Sequence, residues 1–159
     1  IDIDHLFYPA KVNLAMLYNR IGENEKAEGM LREVVEAFPD LYDIKYSLGL
    51  LLAENKNYGE ATLFLAQAAE GLPQRARIQY NLGLLLQHRQ KDDEAERAFK
   101  RAVDIEPDNL DFLYALADFY LKRKRWGEAG RIAESMVVRH PDKSIGREIL
   151  EFIRRNADS

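Results

Sequence analysis

Apolar residues recur at helical spacing along most of the chain, in pairs of segments that short polar turns separate. The first segment of one such pair carries apolar residues at Ile78, Leu82, Leu85 and Leu86. The second segment follows the polar stretch 88–92 and carries apolar residues at Ala95, Phe99, Ala102 and Val103. Both sets keep to one face of a helix, so each segment is predicted to be an amphipathic helix.

Polar residues at the ends of these segments set the predicted boundaries. Asp92 or Asp93 is suited to cap the second helix, because a short acidic side chain accepts a hydrogen bond from a free N–H group. The stretch 106–109 (Glu-Pro-Asp-Asn) ends that helix, because proline cannot continue a helix and Asp and Asn stabilise turns. The predicted unit is therefore helix, turn, helix, turn.

This unit recurs every 34 residues. The phrase IKYSLGLLL at 44–52 returns as IQYNLGLLL at 78–86. The same interval separates the prolines Pro39, Pro73, Pro107 and Pro141, the alanines Ala27, Ala61, Ala95 and Ala129, and the small residues Ala15, Gly49, Gly83 and Ala117. Such a period indicates stacked supersecondary units, each of which buries an apolar face against the next.

The period divides the chain into four repeats, 8–41, 42–75, 76–109 and 110–143. Residues 1–7 show no period and are set aside as an N-terminal lead-in. Residues 144–159 begin with Ser144, a suitable N-cap, and carry one apolar face at Ile145, Ile149, Leu150 and Ile153. We expect this segment to be a helix that caps the last repeat, and contact with a membrane surface is the alternative.

Glycine at 49 and 83 lies inside predicted helices, where it costs about 1 kcal/mol relative to alanine. We interpret both glycines as points where the first helix of a repeat approaches the second most closely. The expected neighbours are Ala61 and Ala95.

These residues resemble the tetratricopeptide repeat (TPR) family. The pattern residues of the four repeats are Leu14, Ala15, Tyr18, Ala27, Leu31, Val34 and Pro39; Leu48, Gly49, Leu52, Ala61, Leu65, Ala68 and Pro73; Leu82, Gly83, Leu86, Ala95, Phe99, Ala102 and Pro107; and Leu116, Ala117, Tyr120, Ala129, Ala133, Met136 and Pro141. The early tryptophan of the family is replaced by Lys11, Lys45, Gln79 and Leu113. The resemblance implies an all-α fold, a right-handed α-α superhelix or TPR solenoid.

The resemblance also implies a binding groove on the concave face, which the first helix of each repeat lines. The residues expected there are Val12, Asn13, Met16, Tyr46, Leu50, Arg77, Tyr80, Asn81, Leu84, Tyr114 and Asp118. Tyrosine offers a large contact area and asparagine can bond a peptide backbone, so the set suits a peptide or protein ligand. Two interpretations of the tyrosines remain open: they bind a partner, or they pack against each other between neighbouring repeats.

Charge and composition narrow the range of partners. The net charge is −4, which argues against nucleic acid and anionic lipid as partners. Uninterrupted apolar runs stay below the roughly 18 residues of a transmembrane helix, so membrane insertion is not expected. There is no cysteine, which excludes disulfides and thiolate metal sites and leaves a cytoplasmic or periplasmic location open. Because the chain begins at Ile1, we interpret it as part of a longer protein.

Residues typical of catalysis or of metal binding are scattered in this sequence. His5, His88 and His140 are far apart and none has a second ligand at helical spacing. We therefore expect no enzymatic activity, no catalytic residue, no cofactor and no metal. The basic run 122–125 is interpreted as a solvated turn, with binding of an acidic segment or a phosphate as the alternative, and Trp126 as a packing residue.

The predicted function is that of a protein–protein interaction scaffold. The alternative is a structural or self-assembling TPR module, a possible homo-oligomer, within a larger bacterial protein. The segments YSLGLLLAE and YNLGLLLQH are similar to C-terminal TPR arrays of bacterial envelope proteins, including multihaem c-type cytochromes. A clamp for the acidic tails of heat-shock chaperones is not expected, because each reading frame has at most one of the clamp residues that the family requires.

Overall fold

The computed structural model describes residues 4–158, and side chains from residue 7 onward. Within that range the regular structure is helical throughout. The helices are α1 (Asp4–Arg20), α2 (Asn24–Ala37), α3 (Tyr42–Glu54), α4 (Tyr58–Gly71), α5 (Ala76–His88), α6 (Asp92–Ile105), α7 (Leu110–Lys122), α8 (Trp126–Arg139) and α9 (Ile145–Asn156). The predicted all-α class of helix-turn-helix repeats is confirmed.

The helices form two compact units, α1–α4 up to Pro73 and α5–α9 from Gln74. In the N-terminal unit α1 packs on α2, α2 on α3, and α3 on α4. In the C-terminal unit each helix likewise packs on the next, from α5 to α9. Each helix therefore contacts mainly its neighbours in the chain, as expected for stacked repeats.

Each turn between the first and second helix of a pair contains one residue in the left-handed conformation. These residues are Gly22 (φ 83°), Lys56 (φ 64°), Gln90 (φ 59°) and Lys124 (φ 56°). The next N–H group reaches back over the end of the helix, as in the bond of 2.8 Å from Asn57 N to Leu52 O. This arrangement is a Schellman motif, which satisfies carbonyl groups that the helix end leaves free.

The close approaches predicted at the two repeated glycines exist, but the nearest neighbours are different. A Cβ atom placed on Gly49 would lie 3.0 Å from Leu65 Cγ, and one on Gly83 would lie 2.7 Å from the Phe99 ring. The expected neighbours Ala61 and Ala95 are fully buried but lie one helical turn earlier. A large side chain of the second helix therefore fills the space that the missing Cβ leaves.

The predicted helix caps are wrong in detail. Asp92 is the first residue of α6 and Lys91 occupies its N-cap position without a side-chain bond. Ser144 is the N-cap of α9, but its hydroxyl makes no capping bond. Asn109, which we assigned only to a turn, caps α7 by accepting bonds from Asp111 N at 3.1 Å and Phe112 N at 3.3 Å. That amide oxygen satisfies two free N–H groups at once.

The two ends of the chain differ in how far the predictions hold. Helix α1 begins at Asp4, inside the segment 1–7 for which no element was predicted, and residues 1–3 lie outside the described range. Helix α9 packs on α8, and its role as a cap remains a prediction. Its Ile149 is buried in one cluster with Leu113 and Met136. The repeat boundaries at 8, 42, 76 and 110 remain a prediction.

Candidate functional site

In the N-terminal unit, the predicted groove residues of α1 and α3 line a small cleft. Met16 and Leu50 form it together with Ser47 and Glu54, and its volume is about 140 Å³. Apolar cavities of about 150 Å³ hold a benzene-sized group, so this cleft has room for one side chain of a ligand. It is mixed in character, because the thioether and the leucine lie beside a hydroxyl and a carboxylate.

The other predicted residues of this unit have varied exposure. Val12 and Tyr46 are half-buried, whereas Asn13 is exposed on α1. The hydroxyl of Ser47 donates to the carbonyl of Asp43 at 3.1 Å, one turn back along its own helix. That bond occupies the Ser47 proton and leaves its oxygen free to accept from a ligand.

In the C-terminal unit, Tyr80 is packed against the next first helix. Its ring centroid lies 5.2 Å from that of Phe112, which is buried. The guanidinium of Arg77 lies 5.1 Å from the Tyr80 centroid and 4.9 Å from that of Phe112. The outer end of Arg77 lies 3.9 Å from Asp111, and both side chains are exposed, so this ion pair is worth little. For Tyr80 the contacts favour the packing interpretation.

Tyr114 and Leu84 are the exposed large hydrophobic side chains among the predicted groove residues of this unit. Tyr114 is 45% exposed and Leu84 is 41% exposed, although both lie on helices whose other faces are buried. Asn81 is half-buried on α5. Asp118 follows Tyr114 by one turn and binds Lys122 of the same helix at 2.6 Å. Large exposed apolar side chains in one region commonly indicate a contact surface.

Tyr114 and Asp118 belong to a cleft of about 770 Å³ between α7, the following turn and α9. Its floor is apolar: Leu121, Ile145 and Ile149. Its walls include Trp126 and Phe152, whose ring centroids lie 6.3 Å apart. The volume is within the range of ligand sites in proteins, and we call it the α7–α9 cleft.

Sequence reasoning missed most residues of the α7–α9 cleft. Trp126 was interpreted as a packing residue, and α9 was treated only as a cap. Phe152 follows Ile145 by seven residues and so continues the apolar face of α9, which is the sequence signal that we did not use. In the structure it is 48% exposed. Lys124 and Glu148 add one charge of each sign to the walls.

In the basic run at 122–125 the two arginines are paired with acidic residues of other helices, whereas Lys122 and Lys124 are exposed. Arg125 contacts Glu96 of α6 at 2.7 Å and Glu128 of α8 at 2.9 Å. Arg123 pairs with Asp92 of α6, and its guanidinium lies 3.9 Å from the Phe119 ring centroid. The arginines are therefore occupied by acidic partners of this chain, which contradicts our expectation for the turn.

Glu96 is the centre of this polar network. The hydrogen bonds from Arg125 lower the pKa of Glu96 to about 2, and bonds from Lys100 and Tyr120 act in the same direction. Burial is the main reason that the pKa of Tyr120 is raised, and its hydroxyl donates to Glu96 at 2.8 Å. The network has a structural explanation, because it ties α6 to α7 and to the start of α8.

The histidines offer little for chemistry. His140 Nε2 lies 2.6 Å from the carbonyl oxygen of Asp108, so it joins two turns, and His88 is exposed. In the part of the chain that the structure describes, no group of three or more His, Cys, Asp or Glu residues is arranged to hold a metal ion. Nor does any helix among the described residues have the length and apolar character needed to cross a membrane.

Comparison with known proteins agrees with the repeat that the sequence pattern predicts. Models of the tetratricopeptide repeat match residues 12–76, 76–109 and 93–146. No match was found among curated protein sequences. Many solved structures are similar in fold.

Three of these structures illustrate the similarity. A tetratricopeptide repeat protein from Parabacteroides merdae has a TM-score of 0.84 at 18% identity, over 95% of this chain and 61% of that one. MamA from Desulfovibrio magneticus has a TM-score of 0.80 at 18% identity, over 95% and 85%. YrrB, described as a TPR protein with an unusual peptide-binding site, has a TM-score of 0.77 at 16% identity, over 93% and 76%. At sequence identities of 16 to 18%, the structural similarity shows that the fold is shared and shows nothing about function.

Proposed function

The chain belongs to the tetratricopeptide repeat family, and from this premise we propose that it is a scaffold that binds a peptide or a partner domain and catalyses no reaction. The contact surface that we propose lies in the C-terminal unit, on the face of the first helices α5 and α7 and on the adjoining helix α9. That YrrB, a protein of this fold, has a peptide-binding site supports the class of ligand.

The observation that carries the proposal is the α7–α9 cleft. It exposes two aromatic side chains, Tyr114 at 45% and Phe152 at 48%, above an apolar floor. Exposed aromatic rings at the rim of a cleft give large contact area with few rotatable bonds, which is why aromatics dominate binding hot spots. A ligand that inserts one apolar or aromatic side chain between these rings would cover both.

The charges around the cleft specify how a peptide would be held. Lys124 is exposed at the rim, and Glu148 is exposed on the first turns of α9. Asp118 is neutralised by Lys122 at 2.6 Å and is less available. An extended peptide with one apolar anchor flanked by an acidic and a basic residue fits this arrangement, because each charge then meets its opposite at the rim.

A peptide-display experiment tests this proposal. The chain is immobilised and a library of random peptides is selected against it. The enriched peptides are then measured against a Tyr114→Ala/Phe152→Ala variant. Loss of two aromatic anchors should weaken binding by about 30-fold or more. The matched control is Leu63→Ala, which removes an exposed apolar side chain (54%) from α4 and should bind like wild type.

The results of these measurements show whether the α7–α9 cleft or another surface of the chain binds the peptide. Because both aromatics are about half exposed, the double variant should unfold at nearly the wild-type temperature, and melting curves verify this. Selection that enriches no peptide, or peptides that bind the double variant as tightly as wild type, would show that the cleft is not the binding surface. Enriched peptides that instead respond to Leu50→Ala would move the site to the N-terminal cleft.

A further inference from the structure

The cleft of the N-terminal unit, which lies between α1 and α3, contains accepting oxygens and no positive charge. The acceptors are the carboxylate of Glu54, the amide oxygen of Asn19 and the hydroxyl oxygen of Ser47, whose proton is donated to Asp43. Within the described range, the side chains of Glu54 and Asn19 make no hydrogen bond or ion pair. These oxygens are therefore available to donors of a ligand.

Met16 and Leu50 give this N-terminal cleft an apolar wall, and both side chains are half-buried. A long aliphatic side chain that ends in a charged group suits such a mixed cleft. Its methylene groups contact the apolar wall, while its charged end reaches the polar acceptors. Lysine is built in this way, and its ammonium group offers three N–H donors to the three accepting side chains.

The corresponding residues of the C-terminal unit contain the ion pair that the N-terminal cleft lacks. Two repeats along the chain, Lys122 takes the place of Glu54. Asp118 likewise takes the place of Leu50. Lys122 bonds Asp118 at 2.6 Å, so α7 neutralises its own carboxylate. Helix α3 has a leucine in place of the acid and an acid in place of the lysine, so it supplies no cation to Glu54 from this position.

The net charge of the N-terminal unit favours a positively charged ligand. Residues 1–73 contain six Lys or Arg residues and twelve Asp or Glu residues, which gives a net charge of −6. Residues 74–159 carry a net charge of +2. A negative surface attracts cations and repels acidic peptides as they approach. The N-terminal unit therefore differs from the C-terminal unit in the charge of the ligand that it favours.

We propose that the N-terminal cleft is a second binding site, which takes one lysine side chain of a peptide ligand. The lysine methylene groups lie against Met16 and Leu50. The ammonium group bonds to Glu54, with Asn19 and Ser47 as further acceptors. The site is independent of the α7–α9 cleft, because all its lining residues belong to the N-terminal unit.

A single-residue probe tests the site before any natural partner is known. The probe is N-acetyl-lysine N-methylamide, and its uncharged counterpart carries norleucine in place of lysine. Binding to the full chain is followed through the backbone amide signals in two-dimensional NMR spectra. A probe of about 14 non-hydrogen atoms should bind with a Kd of about 1 mM and shift signals of α1 and α3. The norleucine probe should bind about 10-fold more weakly, because it lacks the ammonium group.

Two variants separate the contribution of the charge from that of the apolar wall. Glu54→Gln keeps the shape of an exposed side chain and removes its charge. It should weaken binding of the lysine probe by about 5-fold and leave binding of the norleucine probe unchanged. Leu50→Ala removes part of the apolar wall and should weaken binding of both probes. Melting curves verify that both variants fold.

The matched control for the charge is Glu36→Gln. Glu36 is exposed on α2 and lies outside the N-terminal cleft. This variant changes the net charge of the unit by the same amount as Glu54→Gln, and it should bind the lysine probe like wild type.

Three results would overturn the site. The first is equal affinity for the two probes, which would show an apolar cleft without preference for a cation. The second is equal weakening of the lysine probe by Glu36→Gln and Glu54→Gln, which would show attraction by the charge of the unit alone. The third is the absence of shifts in α1 and α3 at probe concentrations up to about 20 mM, well above the expected Kd.

The Tyr114→Ala/Phe152→Ala variant distinguishes this site from the proposed function of the α7–α9 cleft. That variant should bind the lysine probe like wild type, because neither residue lines the N-terminal cleft. Failure of the peptide selection at the α7–α9 cleft would leave the result with the lysine probe unaffected. Failure of the lysine probe would likewise leave the selected peptides unaffected.

Discussion

The repeated Leu-Gly pair gives the sharpest prediction about stability. In Gly83→Ala the new methyl group would lie 2.7 Å from the Phe99 ring. Carbon atoms prefer separations of about 3.5 to 4.0 Å, so the ring has to move by about 1 Å. Phe99 is only 1% exposed and packs on Phe119, so it has little room to move.

The magnitude follows from two opposing effects. Overpacking a full core costs about 1 to 3 kcal/mol, whereas replacing glycine by alanine inside a helix gains about 1 kcal/mol. We expect Gly83→Ala to lower the free energy of unfolding by up to about 2 kcal/mol. The matched control is Gly29→Ala in α2, where no atom lies within 4 Å of the new methyl group. That variant should be more stable than wild type by up to about 1 kcal/mol.

Urea unfolding followed by circular dichroism measures both variants. The reasoning is refuted if Gly83→Ala is as stable as Gly29→Ala, because the two differ only in what the methyl group meets. A second test is Gly83→Ala combined with Phe99→Leu, since leucine occupies the corresponding place beside Gly49. The double variant should be more stable than the sum of the single effects predicts, by more than about 0.5 kcal/mol.

Three further predictions concern contacts elsewhere. Gly71→Ala would place a methyl group 2.2 Å from Tyr42 Cγ and should cost about 1 to 3 kcal/mol in urea unfolding; an unchanged midpoint would contradict the geometry. Asn109→Ala removes both capping bonds of α7 and should cost about 1 kcal/mol, measured by thermal melting, whereas Asn109→Asp should keep most of it. The pKa of Glu96 is lowered from 4.5 to about 2, so its stabilisation is present above about pH 4.5 and is lost as the pH falls towards 2. Glu96→Gln should therefore be less stable than wild type at neutral pH, and the difference in urea midpoint should shrink in acid; a constant difference would exclude the ion pair with Arg125 as its cause.

Local patterns predicted the helices well, and long-range contacts explain what they missed. The periodicity identifies the helices and the small residues at 15, 49, 83 and 117, because both depend on positions within a single repeat. Arg123 and Arg125 pair with Asp92 and Glu96 of the preceding second helix, about 30 residues away, so two arginines that look solvated in the sequence are paired in the fold. Asn109 was assigned to a turn because Asn favours turns and N-caps alike, and only the backbone distinguishes them.

The candidate site was predicted in part for the same reason. Tyr114 and Asp118 follow from their place in the repeat, and the structure puts both in the α7–α9 cleft. Phe152 and Trp126 come from segments to which the repeat pattern assigns no binding role. The family pattern describes one repeat at a time, whereas this cleft forms where the last repeat meets a helix that follows no repeat. The 34-residue period therefore cannot predict the α7–α9 cleft, because the cleft occurs only once in the chain.

The left-handed turns are positions where single substitutions could make the chain more stable. Lys56, Gln90 and Lys124 each adopt a positive φ, which costs a residue with a side chain about 1 kcal/mol and costs glycine almost nothing. Gly22 shows that the same turn accepts glycine. Glycine in place of Lys56 or Gln90 could therefore stabilise the chain by about 1 kcal/mol each without changing the α7–α9 cleft, to which Lys124 belongs. The added stability would offset destabilising substitutions at the binding surface. The residues at these turns therefore influence how many such substitutions the fold tolerates.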